Sequence, residues 1–327
     1  MLELNDPLWR KLDDAFENRD IPEALARLSN SWDGEEANVL FWESLYQQGT
    51  VYGATYAAIP YLLKIAEPEA NRPQRLEIAG LLASVVLCAF SRQYESLHER
   101  NDAPLLGLPL SLEEWDKKLA YYRSLENVME ANAGQASREE AAELNHCHDV
   151  LETKPIDAAD LERIRSIRQE FIAALPAIQT LCERAFLENP QEEEAQLYLL
   201  SGIAAAGGLH NLASVLNCGE EGWFRCPSCD WGHEYILFGE RVAIYAEPEK
   251  GAAGDRAVDD FKDGAPSRSD GFMLPAGADA LIGEPRAAAL LSLAERSASA
   301  KAALLTRAFL GRFRCCKCGA EGSVKAG

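Results

Sequence analysis

The sequence holds little that points to common enzyme families or to a membrane. No G-x-x-x-x-G-K-[ST], G-x-G-x-x-G, G-x-S-x-G or H-E-x-x-H occurs in its 327 residues, so nucleotide, hydrolase and zincin readings lose their usual sequence support. No apolar run reaches bilayer length. The most apolar stretch, Leu76 to Phe90, is 15 residues long and carries Glu77, where a span takes about 20 apolar residues, so a buried helix is expected there. The opening Met-Leu-Glu-Leu-Asn-Asp has neither the basic segment nor the apolar run of a secretory leader, and a cytoplasmic location with no membrane partner is expected. Strand signals are absent before about residue 222. With 47% hydrophobic residues the chain is too apolar for intrinsic disorder and long enough for one extended body or two domains.

Positive charge is scarce, with 32 Lys and Arg against 52 Asp and Glu, and only the last segment carries an excess of it. Residues 1–219 hold 18 basic and 36 acidic side chains, whereas residues 299–327 hold 6 and 1. A polyanion is bound where Lys and Arg displace its counterions, so the body is expected to repel nucleic acid. It suits a basic protein partner instead, although acidity also serves solubility alone. Arg225, Arg312, Arg314, Lys317 and Lys325 make the single electropositive face on which nucleic acid could dock.

Helical start signals recur through the first two-thirds. Asp6-Pro7 and Asn189-Pro190 each set a capping side chain before a proline at the first helical position, where the missing N–H costs nothing. Ser111-Leu-Glu-Glu114 and Ser137-Arg-Glu-Glu140 read as capping boxes. Leu161, Ile164, Ile167, Phe171, Ile172 and Leu175 then fall at helical spacing. Ala57–Ala66 lines up with Ala173–Cys182, each with a proline at the same place, Pro60 and Pro176, and each followed by a second apolar helix. A third, weaker pair runs through Arg286–Glu295 and Ala300–Phe309. A spacing of about 40 residues per unit matches helix-pair solenoids.

On these residues, and on Leu40-Phe-Trp-Glu-Ser-Leu-Tyr-Gln-Gln-Gly49 followed by Val51-Tyr-Gly-Ala-Thr-Tyr-Ala-Ala-Ile-Pro60, the chain resembles bacterial HEAT-like proteins of the armadillo type. The resemblance covers about residues 35–215. It implies a mainly α fold, a HEAT-like α-α superhelix over 1–219, with the charged segment 111–168 as inserted long helices. It also implies an immunity or interaction role, which fold alone does not establish.

From Gly222 the composition changes. Tyr235–Phe238 and Arg241–Tyr245, joined by Gly239-Glu240, predict a β-hairpin. Residues 248–279 are rich in Gly, Asp, Pro and Ser and predict a long loop. Four of the nine cysteines give the strongest motif: Phe224-Arg-Cys-Pro-Ser-Cys229 is echoed by Phe313-Arg-Cys-Cys-Lys-Cys318. A C-x-x-C turn aims two thiolates at one centre, and two such turns supply the tetrahedral shell that Zn²⁺ accepts. Cys226, Cys229, Cys315 and Cys318 are therefore the expected ligands of a structural Zn²⁺, in a zinc-ribbon module over 220–327 whose sheet is the hairpin.

Other readings stand beside this one. C-P-S-C is similar to the C-P-x-C of thiol-disulfide oxidoreductases, which place the first Cys at a helix N-terminus; here a strand follows. Cys316 is an extra thiol able to replace a neighbour as ligand, and Cys218, His210 and His233 are outlying donors. Glu143-Leu-Asn-His-Cys-His-Asp149 offers several ligand types, but on a helix His146 and His148 face different ways. Cys88 and Cys182 lie on apolar faces and read as core, as do Trp42 and Tyr56, while Trp223 and Trp231 flank the first C-x-x-C and are expected to pack on it. A closed Cys₄ shell leaves no place for substrate, so a non-enzymatic, protein-binding scaffold is expected. A nucleic-acid adaptor using the basic face, and a thiol-redox or metal-dependent enzyme using the C-x-x-C motifs, are the alternatives.

Overall fold

The computed structural model describes residues 1–12, 14–15, 20–47, 49–68, 72–90, 108, 111–132, 156–190, 193–246, 271–276, 281, 284–297 and 299–324. These are mostly helical, with small antiparallel sheets toward the C-terminus. Two compact units emerge: Met1–Ala89 with His98–Ala177, and Phe90–Leu97 with Ile178–Gly327. The change of composition at residue 219 thus falls inside the second unit.

The first unit opens with a 3₁₀ turn, Pro7–Lys11, whose N-cap Asp6 accepts from the Leu8 N–H as the Asp-Pro pair predicts. Helix α1 (Ile21–Asn30) is capped by Asp20 and buries Ile21, Ala24, Leu25 and Leu28, one stripe of a 3.6-residue period. Helix α2 (Gly34–Val39), capped by Asp33, runs into a π-helical turn, Leu40–Leu45. Two short strands follow, β1 (Tyr46–Gln47) and β2 (Thr50–Val51), paired antiparallel. They correct the expectation of no strand before residue 222; two-residue strands are too short to show alternation.

Helix α3 (Gly53–Ala66) passes through Pro60, and α4 (Arg72–Phe90) follows it. Arg75 is fully buried and donates to the carbonyls of Ala66 (3.2 Å) and Pro68 (2.7 Å), satisfying acceptors that the end of α3 leaves free. Among the described residues α4 is the one helix long and apolar enough to cross a membrane, yet 67% of that stretch is buried inside the protein, as a core helix is.

Helix α5 (Leu112–Asn132) begins at Ser111, which accepts from the Glu114 N–H, and buries Trp115 and Leu119 against Ile156. Helix α6 (Ala158–Glu188) starts with a reciprocal pair, Asp160 N–H to Asp157 Oδ1 (2.8 Å) and Asp157 N–H to Asp160 Oδ2 (3.2 Å). Lys11 and Arg163 also pair with Asp160, and Arg163 reaches Asp6. Burial alone would raise the Asp160 pKa, but these hydrogen bonds outweigh it and hold the carboxyl below its ordinary value.

Leu161, Ile164, Ile167 and Phe171 are buried as their spacing predicts, but Ile172 is exposed. Trp42 is a second correction: it is 40% exposed, its ring edge-on to Tyr46, rather than core. Tyr56, Cys88 and Cys182 are buried as expected. The two proline-bearing helices differ in length, 14 residues against 31, and the capping box at Ser137 lies outside the described residues.

In the second unit, α7 (Glu193–Ala206) and α8 (His210–Cys218) pack as a pair, and α9 (Pro285–Glu295) with α10 (Ala300–Phe309) as another, the predicted helical pair before the last cysteines. Asn189 does not open a helix in the way its Asn-Pro pair suggests: its side chain turns back to the Ala185 carbonyl (2.8 Å) and caps the end of α6. Gln196 then donates to the carbonyls of Phe186 and Asn189 and accepts from Ser297, joining the end of α6, α7 and the α9–α10 turn.

The sheet is β3 (Glu221–Arg225), β4 (Gly232–Phe238), β5 (Arg241–Ala246) and β6 (Gly271–Phe272), antiparallel in that order. Its β4–β5 hairpin is the predicted one, turning at Gly239 with φ 58°. A last ribbon, β7 (Phe313–Arg314) with β8 (Glu321–Gly322), is joined to the chain after β6 by a bridge of two hydrogen bonds between Leu274 and Arg312. A Cβ on Gly311 would stand 1.9 Å from the Leu274 carbonyl oxygen, so this approach requires glycine.

Candidate metal centre

Each C-x-x-C sits in a turn that leaves one strand end, and the two turns are built alike. In the first, Asp230 N–H donates to the Cys226 carbonyl (2.8 Å) and Cys226 N–H to the Trp231 carbonyl (2.9 Å). In the second, Gly319 N–H donates to the Cys315 carbonyl and Cys315 N–H to the Ala320 carbonyl, both at 2.9 Å. The fifth residue of each is left-handed, Asp230 at φ 57° and Gly319 at φ 72°. Asp tolerates that conformation better than most side chains, and glycine does so freely. This matched position was not read from the sequence, although Cys-x-x-Cys-Asp and Cys-x-x-Cys-Gly carry it.

The turns face one another. Cys226 Sγ lies 3.9 Å from Cys318 Sγ and Cys229 Sγ lies 3.7 Å from Cys315 Sγ, and all four ligand atoms fall within 4.8 Å of each other, close enough to hold a metal ion. Every thiol of the set is one that the sequence singled out. Among the described residues none of the cysteines is in a disulfide. Cys226 and Cys315 are buried (2% and 1% exposed), while Cys229 and Cys318 are open to solvent, so each turn gives one inner and one outer thiol. Amide donors support the inner sulfurs, Ser228 N–H to Cys226 (3.4 Å) and Cys318 N–H to Cys315 (3.5 Å).

The Trp231 N–H favours the Cys229 thiolate, but lost hydration and the neighbouring thiols of Cys318, Cys226 and Cys315 outweigh it and push this thiol up to about 12. A cation shared by the four sulfurs removes that penalty.

The repeated Phe-Arg lead-in explains how two distant turns find each other. Phe224 and Phe313 meet edge to face with centroids 4.8 Å apart, and the buried His233 ring stacks on Phe224 at 5.1 Å. Tyr235 extends this core, meeting Phe309 of α10 at 4.7 Å and donating to the Val215 carbonyl of α8 (2.7 Å). Aromatic contacts of this kind add to the area they bury.

The other donors fall outside the cluster. Cys316 Sγ points to His233 Nδ1 at 3.7 Å, His210 stacks on Phe90, and Cys218 packs beneath Gly222. Residues Glu143 to Asp149 and Lys325 lie outside the described residues, as does most of the predicted 248–279 loop. Of the two tryptophans expected on the first turn, Trp231 lies under Lys317 at 4.4 Å, but Trp223 is 46% exposed, because β3 alternates and Phe224 takes the inner face. Arg225 pairs with Asp230 and Arg312 with Glu321, so part of the basic face is already engaged. A shallow depression beside the site is lined by Pro227, Ser228, Arg312, Glu321, Gly322 and Ser323.

No protein-family model, no curated protein and no solved structure matches this chain.

Proposed function

We propose that the protein is a non-enzymatic cytoplasmic scaffold, HEAT-like in its helix pairs, whose zinc-ribbon-like module is closed by one structural Zn²⁺ on Cys226, Cys229, Cys315 and Cys318. The sulfur spacing carries this reading. Metal–sulfur bonds of about 2.3 Å in a tetrahedron set the sulfurs about 3.8 Å apart, and the pairs stand at 3.7 and 3.9 Å. An all-thiolate tetrahedral set suits zinc, and a full set leaves no position for water or substrate. The net charge of −20 favours a basic protein partner, and the resemblance to HEAT-like proteins supports an immunity or antitoxin-like role against one.

The adaptor alternative is weakened by the pairing of Arg225 and Arg312 with carboxylates. The thiol-redox alternative is weakened by the setting of Cys226, which begins a turn between β3 and β4 instead of a helix.

Native mass spectrometry with metal analysis, before and after a chelator, tests the site. One zinc per chain, no disulfide, and loss of amide protection in β3–β8 on chelation are expected. A metal-free chain with a Cys226–Cys229 disulfide overturns it. Salt-sensitive binding of a lysine-rich protein is expected of the scaffold, and binding indifferent to salt argues against the charge-based partner.

A further inference from the structure

The segment from Leu40 to Pro60 contains a feature the scaffold reading does not use. Tyr56 is 1% exposed, and its hydroxyl has no hydrogen-bond partner; the same is true of the enclosed Nη1 of Arg168. Both lie in the first unit, and both belong to one locality. The Tyr56 ring meets Phe171 edge to face at 4.9 Å, and Arg168 is three residues before Phe171, hence its neighbour on the same face of α6. Burial drives the Tyr56 pKa up, the neighbouring Cys88 adds to the rise, and the Arg168 charge is near enough to oppose it.

Cys88 lies on α4, where burial pushes its thiol up to about 12 although the Tyr46 hydroxyl donates to it. A second enclosed hydroxyl without a partner, Ser44 Oγ, lies on the π-helical turn two residues before Tyr46. Such turns are frequent at functional sites.

An enclosed donor that bonds nothing costs free energy, and a packed core seldom keeps two in one place. Both groups present a proton, and one carries a positive charge. What would satisfy both is a compact negatively charged oxygen acceptor, and its interaction with them is strengthened by the low-polarity surroundings. Arg168 as a whole is only half-buried, so part of its side chain reaches solvent.

We propose that Tyr56 and Arg168 form a binding site for a small oxyanion, a carboxylate or phosphate group, held between α3 and α6. Tyr56 donates through its hydroxyl and Arg168 through Nη1.

Titration calorimetry and thermal melting of the full-length protein test this, with acetate, inorganic phosphate and sulfate each added against sodium chloride at constant ionic strength. At least one of the three is expected to bind at one site per chain and to raise the melting temperature saturably. Acetate binding more tightly points to a carboxylate ligand, and phosphate or sulfate binding more tightly to a phosphate ester. Arg168→Gln is expected to abolish binding, and Tyr56→Phe to weaken it at least tenfold.

The phenylalanine variant also gives a reading that does not depend on affinity. Without the anion it is expected to melt at or above the wild-type temperature, since it removes a hydroxyl that bonds nothing; at saturating anion the order reverses. A Tyr56→Phe difference that is the same with and without the anions, no saturable binding of any of the three, or binding that survives Arg168→Gln overturns the proposal. Zinc content is unchanged in every arm, which separates failure here from failure of the metal site.

Discussion

The two units are held together by different means. In the first, α4 is buried along most of its apolar length and the helix ends are tied by carboxylates such as Asp160, so its stability comes from area removed from water plus a few well-placed ion pairs. In the second, the strands that carry the cysteine turns are short, β7 and β8 having two residues each, and their organising contacts are four sulfurs and a small aromatic cluster. A unit built on area loses stability gradually as atoms are deleted. A module closed by a metal, as proposed for the cysteine turns, would fail when a single ligand goes, because the binding free energy is also the folding free energy.

Four perturbations sharpen this contrast. The largest effect is expected for Cys226→Ser. Structural zinc contributes about 10–16 kcal/mol in small domains, so removing an inner ligand should release the metal and unfold β3–β8, while hydrogen exchange in α1–α4 stays slow. Fast exchange throughout, or none, would remove the distinction. Leu82→Ala should do the reverse: it deletes a fully buried side chain of α4 and should cost about 2–5 kcal/mol, read by denaturant melting, with one metal per chain still bound.

Acid should separate the units next. Thiolates compete with protons from well above the carboxylate range, so the metal leaves first as pH falls. Asp160 has a folded pKa below its ordinary 3.8; its contribution is therefore present above that value and is lost as pH drops through the lowered folded pKa. Asp160→Asn should lower melting at pH 7 and flatten the acid limb of the first unit, followed by circular dichroism. The smallest effect is expected for Arg225→Ala. Its partner Asp230 is exposed, and such pairs contribute about 0–1 kcal/mol. Metal content and melting should both be nearly unchanged, and a large loss would mean the outer surface of the turn matters more than the sulfurs.

The cysteine set was legible in the sequence because its information is local and repeated: each turn needs about six consecutive residues, and the shared Phe-Arg lead-in marks them as halves of one site. The hairpin was legible for the same reason. What failed depended on the angle a side chain takes around its helix or on distant chain. Trp42 looks like a core residue because its neighbours Leu40, Phe41 and Leu45 are core, but those neighbours recur at i, i+1 and i+5, which sets Trp42 on the opposite face. Ile172 lies at the edge of the stripe formed by Ile164, Ile167 and Phe171, where the helix turns toward solvent. The division near Ala177 left no signal, since α6 runs on through Pro176 without a break in helical pattern. The Tyr56–Arg168 pair joins residues 112 positions apart and belongs to no motif.

The separation of the two cysteine turns along the chain has a consequence for how the protein is made. Cys229 leaves the ribosome 86 residues before Cys315. At about 5–20 residues per second, the first turn waits roughly 4–17 s for its counterpart. During that interval two thiolates, too few to enclose an ion, stand beside β3 and β4 with no β7 to meet Phe224. The cysteine set is therefore complete only once Cys315 and Cys318 have been made, and on the proposed reading the supply of zinc from that moment would set how quickly the module closes.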